Sequence, residues 1–152
     1  MTVWSVVCIE KKSILLTGSA DKTIKHWQLD SSNTSAELGC KYLGHTDCVR
    51  ALTLNNLNSR EFFSCSNDGS VIQWQLLNPN PLRVFQITNS FLYSVNMVYS
   101  ERNTPDEYVF ITSGEDRTLR IHSTLKANSG FDSSACIQSL ALPCQTLWYT
   151  SK

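Results

Sequence analysis

A hydroxyl residue, an Asp four positions later and a ring-bearing residue six positions after that recur three times along the chain. The sets are Thr17, Asp21 and Trp27; Ser64, Asp68 and Trp74; and Thr112, Asp116 and His122. The three Asp residues stand 47 and then 48 residues apart, and a fixed period of this size marks an array of like structural units. Around each Asp the chain reads as strand, tight turn, strand. "SILLTGSA", "EFFSCS" and "EYVFITSG" are apolar and rich in β-branched or aromatic residues. The turns "DKT", "NDGS" and "EDRT" are polar, and "TIKHWQL", "VIQWQLL" and "TLRIHS" then alternate. A further strand precedes each pair ("VWSVVCI", "CVRALTL", "LYSVNMVYS") and another follows it ("CKYLGH", "LRVFQIT", "CIQSLAL"). Four short strands per period and almost no helical periodicity describe the blades of an all-β propeller.

The spacing has a chemical reason. Gly44-His45 lies between the outer strand of one unit and the inner strand of the next, with His45 23 residues before Asp68. An imidazole there can bond the Asp68 carboxylate through one nitrogen and the Ser64 hydroxyl through the other. The Trp74 indole N–H can donate to that hydroxyl, so every buried polar group has a partner. Thr17, Asp21, Trp27, Thr112 and Asp116 are the matching structural staples of the other blades. A Ser/His/Asp set also invites a hydrolase reading, but a nucleophilic Ser needs an exposed, strained position beside an oxyanion hole. Ser64 sits mid-strand in an apolar run, and no G-x-S-x-G, Walker loop or H-E-x-x-H occurs. The expectation is a chain that is not an enzyme, with no catalytic residues and no cofactor.

Composition narrows the partners. Lys+Arg and Asp+Glu both total 13, which gives no electrostatic case for nucleic acid or an anionic membrane. No apolar stretch reaches the ~18 residues of a membrane span. Six cysteines without a C-x-x-C pair, beside three histidines, argue against a metal site. Cys8 and Cys65, among small apolar neighbours, are expected to be buried free thiols in a reduced, cytoplasmic or nuclear protein.

The stretch "GHTDCVRALTL…FFSCSNDGSVIQWQ" resembles a WD repeat, opened by Gly44-His45 and closed by Trp74. More specifically, "TVWSVVCIEKKSILLTGSADKTIKHW", "SGEDRTLRIH" and "LPCQTLW" in this order are similar to the propeller of the phospholipase A2-activating protein family. That resemblance implies a seven-bladed propeller that binds ubiquitin or ubiquitinated proteins in ubiquitin-dependent catabolism. It also implies separate domains, absent from this sequence, that dock on an AAA ATPase. Here the expected blades are about 2–43, 44–87 and 88–141, with the start of another at 142–152: an incomplete propeller. An open arc leaves strand edges and end faces uncovered, so the chain is expected to be a fragment, marginal or prone to associate alone. Thr88 stands where a His is expected and His122 where a Trp is, which implies a degraded staple in the third unit. "SERNTPDEY", "DSSNTSAELG" and "KANSGFDSS" read as surface loops. His26, beside Trp27 on an alternating strand, is expected to face outward.

In a propeller the starts of the inner strands and the Asp turns share one rim. That places Trp4, Cys48, Arg50, Phe91, Tyr93 and Trp148 together with Asn67 and Glu115, the residues before two of the turn Asps. Rigid aromatics with one multivalent cation are what protein interfaces favour. Trp4 and Trp148 could equally pack between blades, whereas Arg50 is the residue hardest to bury. Three functions compete with the hydrolase: a ubiquitin-binding adaptor, a scaffold for another protein, and regulation of phospholipase A2 as the family's name suggests. A propeller fold does not choose between them.

Overall fold

The computed structural model describes residues 2–32, 34–55, 58, 60–98, 108–124 and 135–141. These residues form twelve strands in three antiparallel four-stranded sheets, each in simple meander order. The first holds β1 (Val3–Ile9), β2 (Ile14–Ser19), β3 (Thr23–Leu29) and β4 (Ala36–Leu43). The second holds β5 (Val49–Leu54), β6 (Glu61–Ser66), β7 (Ser70–Gln75) and β8 (Arg83–Gln86). The third holds β9 (Leu92–Val98), β10 (Tyr108–Gly114), β11 (Thr118–Thr124) and β12 (Ala135–Ala141). This is an all-β arrangement of propeller blades. One 3₁₀ turn, Glu10–Lys12, links β1 to β2. No helix among the described residues is long and apolar enough to cross a membrane, and no cluster there could hold a metal ion. The expected fourth unit, with Trp148, lies outside the described residues, as do most of "SERNTPDEY" and "KANSGFDSS".

The sheets stack face to face through two apolar cores, and the middle sheet supplies one face to each. Alternation decides which residue goes where. Phe62, Ile72 and Trp74 join Leu16, Ile24 and Tyr42 of the first sheet. Phe63, Cys65 and Val71, on the opposite face of the same strands, meet Leu92, Val95, Tyr108 and Phe110 of the third. A strand buried on both faces shows no polar stripe, which is why "EFFSCS" reads as an unbroken run. Tyr42 meets Phe62 and Trp74 edge-on, with centroids 5.2 and 5.6 Å away, and its hydroxyl accepts the Leu77 N–H at 3.0 Å. Burial pushes the Cys65 thiol up to about 12, which leaves it chemically inert.

The three turns between second and third strands are built alike. Asp21, Asp68 and Asp116 each accept, through Oδ1, the backbone N–H two residues on, at 3.1, 2.9 and 3.1 Å. Between them stands a left-handed residue: Lys22 (φ 70°), Gly69 (φ 77°) or Arg117 (φ 59°). Gly69 is obligatory, since a Cβ there would lie 1.9 Å from the Thr88 carbonyl oxygen. Lys22 and Arg117 hold the same conformation with a side chain, which L-residues resist.

Three expectations are corrected. His26 does not face outward: it is 3% exposed. It pairs with Leu16 and Cys40 on the face that the second sheet covers, so alternation in an inter-blade strand does not lead to solvent. Gly39 lies against it, where a Cβ would come 2.5 Å from its Nδ1. Cys8 is exposed rather than buried, because the face of β1 that it shares with Val6 has no blade against it among the described residues. Residues 36–39 of "DSSNTSAELG" are strand, not loop. As the outer edge of its sheet, β4 is exposed almost throughout and carries no apolar alternation to announce it.

His122 replaces an indole in the third sheet without leaving the pattern. Its ring stacks on Phe110 at 4.8 Å, and its Nε2 lies 3.1 Å from Thr112 Oγ1. Burial, with the Arg120 charge second, pushes its pKa from 6.5 down to about 4, and burial lowers that of His26 as well. Both rings titrate near 6.5 once unfolded, so below that pH the unfolded chain binds more protons than the folded one. Stability is therefore expected to be flat above about pH 6.5 and to fall as pH drops towards 4, by about 2 kcal/mol at pH 5 from His122 alone. Urea unfolding at pH 7.5 and 5, repeated on His122→Gln, checks this: the variant should lose less. Lys22→Gly, which relieves a left-handed side chain, is expected to raise stability by up to about 1 kcal/mol in the same assay.

Candidate functional site: an aromatic and cationic rim

The Ser/His/Asp set of the second sheet is a closed relay. Trp74 Nε1–H donates to Ser64 Oγ at 2.8 Å. Ser64 lies 2.7 Å from His45 Nε2, and His45 Nδ1 lies 2.9 Å from Asp68 Oδ2. Ser70 Oγ donates to Asp68 Oδ1 at 2.6 Å. Burial works against the Asp68 charge, yet the hydrogen bonds from His45 and Ser70 prevail and hold its carboxyl well below the usual range. The distances are those of a hydrolytic triad, but the surroundings are not. Ser64 is 0% exposed and its oxygen already receives the indole proton, so no substrate carbonyl can reach it.

The other sheets show related contacts among the described residues. Trp27 Nε1–H donates to Thr17 Oγ1 at 3.0 Å, as Trp74 does to Ser64. Asp21 pairs with Lys25, and Asp116, preceded by Thr88 in place of a His, pairs with Arg120 at 2.7 Å, each cation four residues on. The corresponding position in the second sheet is Ile72. Thr88, in the third unit, reaches Asp116 Oδ2 at 3.4 Å. Its staple is thus not simply degraded: hydroxyl-to-ring and Asp-to-cation contacts survive, and only the imidazole link between them is gone.

The rim is where the three sheets meet end to end. Ala20, Asn67 and Glu115 donate their N–H groups to the carbonyls of Thr2, Cys48 and Phe91, which ties each Asp turn to the entry of its inner strand at 2.9, 3.0 and 2.9 Å. Cys48 also reaches across sheets, its Sγ lying 3.7 Å from the Ala20 carbonyl. One residue into each inner strand the pairing slips. Val3 and Ser5 oppose Ser19 and Gly18, Val49 and Ala51 oppose Ser66 and Cys65, and Leu92 and Ser94 oppose Gly114 and Ser113. The residues left out of register are Trp4, Arg50 and Tyr93. Bulges of this kind re-aim a side chain.

All three re-aimed side chains converge. The Arg50 guanidinium carbon lies 4.2 Å from the Trp4 ring centroid and 5.6 Å from that of Tyr93. Its Nε–H donates to Asn67 Oδ1 at 2.8 Å. Trp4 remains 46% and Tyr93 44% exposed, so the stack is presented to solvent and not buried between blades. Among the expected rim residues, Trp4, Arg50, Asn67 and Tyr93 come together. Cys48 sits two residues before Arg50, Phe91 and Glu115 lie exposed at the edge of the third sheet without joining the stack, and Trp148 is outside the described residues. The bulges and the paired cations Lys25 and Arg120 escaped the sequence reading. A cation four residues after the turn Asp was the available signal for the latter.

Comparison with known proteins agrees with this architecture. The profile described as "WD domain, G-beta repeat" matches residues 1–28 and 37–75. The crystal structure of the WD40 beta propeller domain of Doa1 superposes with a TM-score of 0.69 and 32% identity, over 95% of this chain and 42% of that one. "Ubiquitin fusion degradation protein 3 homolog" of Caenorhabditis elegans is 34% identical over 99 residues, 64% of this chain. "Ubiquitin homeostasis protein lub1" of Schizosaccharomyces pombe is 31% identical over 109 residues, 72% of this chain. The chain spans only 11% and 12% of those two proteins. Proteins named for ribosome biogenesis match as well.

Ser64→Ala strands two buried donors or acceptors, His45 Nε2 and Trp74 Nε1. It is expected to cost about 2 kcal/mol or more in denaturant unfolding. A triad at work would instead show a lost hydrolytic activity with stability unchanged.

Proposed function

We propose that this chain, whose three sheets have the WD40 β-propeller fold, is a non-catalytic protein-binding module that serves ubiquitin-dependent protein catabolism. The observation that carries the binding role is the Trp4–Arg50–Tyr93 stack: two half-exposed aromatic rings and a held guanidinium, one from each of three sheets. Exposed aromatics beside an Arg are the side chains that anchor protein interfaces, each worth on the order of 2 kcal/mol when central. The ubiquitin assignment draws its support from two relatives named for ubiquitin pathways and from the family resemblance in the sequence. Ubiquitin or a ubiquitinated protein is then the partner, met in the cytoplasm or nucleus. Docking on an AAA ATPase belongs, in the resembling family, to domains other than the propeller. Regulation of phospholipase A2 has no feature of the rim in its favour.

A second reading, a scaffold for a different protein, is supported by the relatives named for ribosome biogenesis. It uses the same rim, since fold alone does not fix a partner. Titration of isotope-labelled ubiquitin with this chain and with Trp4→Ala and Arg50→Ala separates them. Saturable shifts confined to one face of ubiquitin, weakened several-fold by both variants, are expected. A folded chain that moves no ubiquitin resonance leaves the scaffold reading in its place.

A further inference from the structure

The Arg50 guanidinium is unusual in what it lacks. Its central carbon lies over the rings of Trp4 and Tyr93, 4.2 and 5.6 Å from their centroids, and its Nε–H is taken by Asn67 at 2.8 Å. Among the described residues no carboxylate pairs with it. The turn aspartates are engaged elsewhere, Asp21 with Lys25, Asp68 with His45 and Asp116 with Arg120, and the exposed Glu115 does not join the stack. Stacking and the Asn67 bond hold the guanidinium plane in place, so much of the ordering cost of a planar fork is met before any partner arrives. What remains for a partner is the Nη1/Nη2 end, two parallel N–H groups at carboxylate spacing.

Resting on the reading of this rim as a protein-binding face, we propose that the Nη end of Arg50 receives an Asp or Glu side chain of the docking protein. Trp4 and Tyr93 pack against the apolar groups beside that carboxylate. The recognised element is therefore an acidic residue flanked by apolar ones. A chain-terminal carboxylate is the less suitable source, because such termini are captured by clustered backbone N–H groups. At this rim the N–H groups of Ala20, Asn67 and Glu115 are already spent on Thr2, Cys48 and Phe91.

The test uses three pentapeptides, all acetylated: Ala-Phe-Glu-Phe-Ala amide, its Gln counterpart as amide, and the Gln peptide with a free C-terminus. Binding is followed by the ¹⁵N-correlated resonances of the Arg50 Nε–H and the Trp4 indole. The Glu amide is expected to shift both saturably and to bind about tenfold more tightly than the Gln amide, a preference that shrinks with added salt. Arg50→Gln should abolish the preference and Arg50→Lys should retain part of it, while Trp4→Ala weakens both amides. Equal binding of Glu and Gln peptides, no binding of the Glu amide, or an Arg50 shift larger with the free C-terminus overturns the proposal. Labelled ubiquitin titrated in the same buffer separates the two claims. Ubiquitin shifts without a Glu preference sink the carboxylate site alone, and a Glu preference without ubiquitin shifts sinks the ubiquitin assignment alone.

Discussion

The imidazole of His45 is 1% exposed and uses both ring nitrogens, one on Ser64 and one on Asp68. A buried imidazole is tolerable only under that condition, so the bond fixes two elements at once: the middle of β6 and the turn that follows it. Thr46 N–H also donates to Asp68, at 2.8 Å, which anchors the entry to β5 on the same carboxylate. Three strands of the second sheet are thereby set in register by one polar chain. Both apolar cores then follow, because the faces of β6 and β7 that build them are defined only when register is defined. A slip of one residue would exchange Phe62 for Phe63 and Ile72 for Val71, and each core would receive the other's side chains.

The flanking sheets reach the same end by a different balance of forces. Lys25 and Arg120 neutralise the turn carboxylates from within their own strand, without crossing to a preceding unit. Burial opposes ionisation of Asp21 and Asp116, and the cations together with Thr23 and Thr118 outweigh it. These pairs are part-exposed and local, so they secure a turn but do not link units. The His45 relay, by contrast, ties the stretch between the first sheet and the second to the turn of the second. The middle sheet is consequently the one that most needs its exact residue types, and the third accommodates Thr88 and His122.

Much of this was legible in the residues. β1, β3 and β6 coincide with the segments read as strands, since hydroxyl, Asp and ring spacing fixes the hairpin and its turn. The relay partners followed from hydrogen-bond inventory alone. What escaped depended on neighbours that one chain segment does not reveal. The direction of His26 turns on whether a second sheet covers its face, and the strand character of residues 36–39 turns on pairing with β3. The contact between Trp4, Arg50 and Tyr93 joins residues more than 40 positions apart through three bulges. A bulge leaves no mark on composition, so only membership of the rim, and not the stack itself, could be anticipated.

The bulges also separate two kinds of selection. A residue inside the ladder answers to its cross-strand neighbours, but Trp4, Arg50 and Tyr93 have been taken out of that register. Each can therefore change its chemistry without disturbing the sheet that carries it. Repeated once per unit, this makes the rim a row of interchangeable letters mounted on a constant frame. Chains built on the same blades could thus acquire new partners through a few substitutions at these positions alone, at little cost in stability.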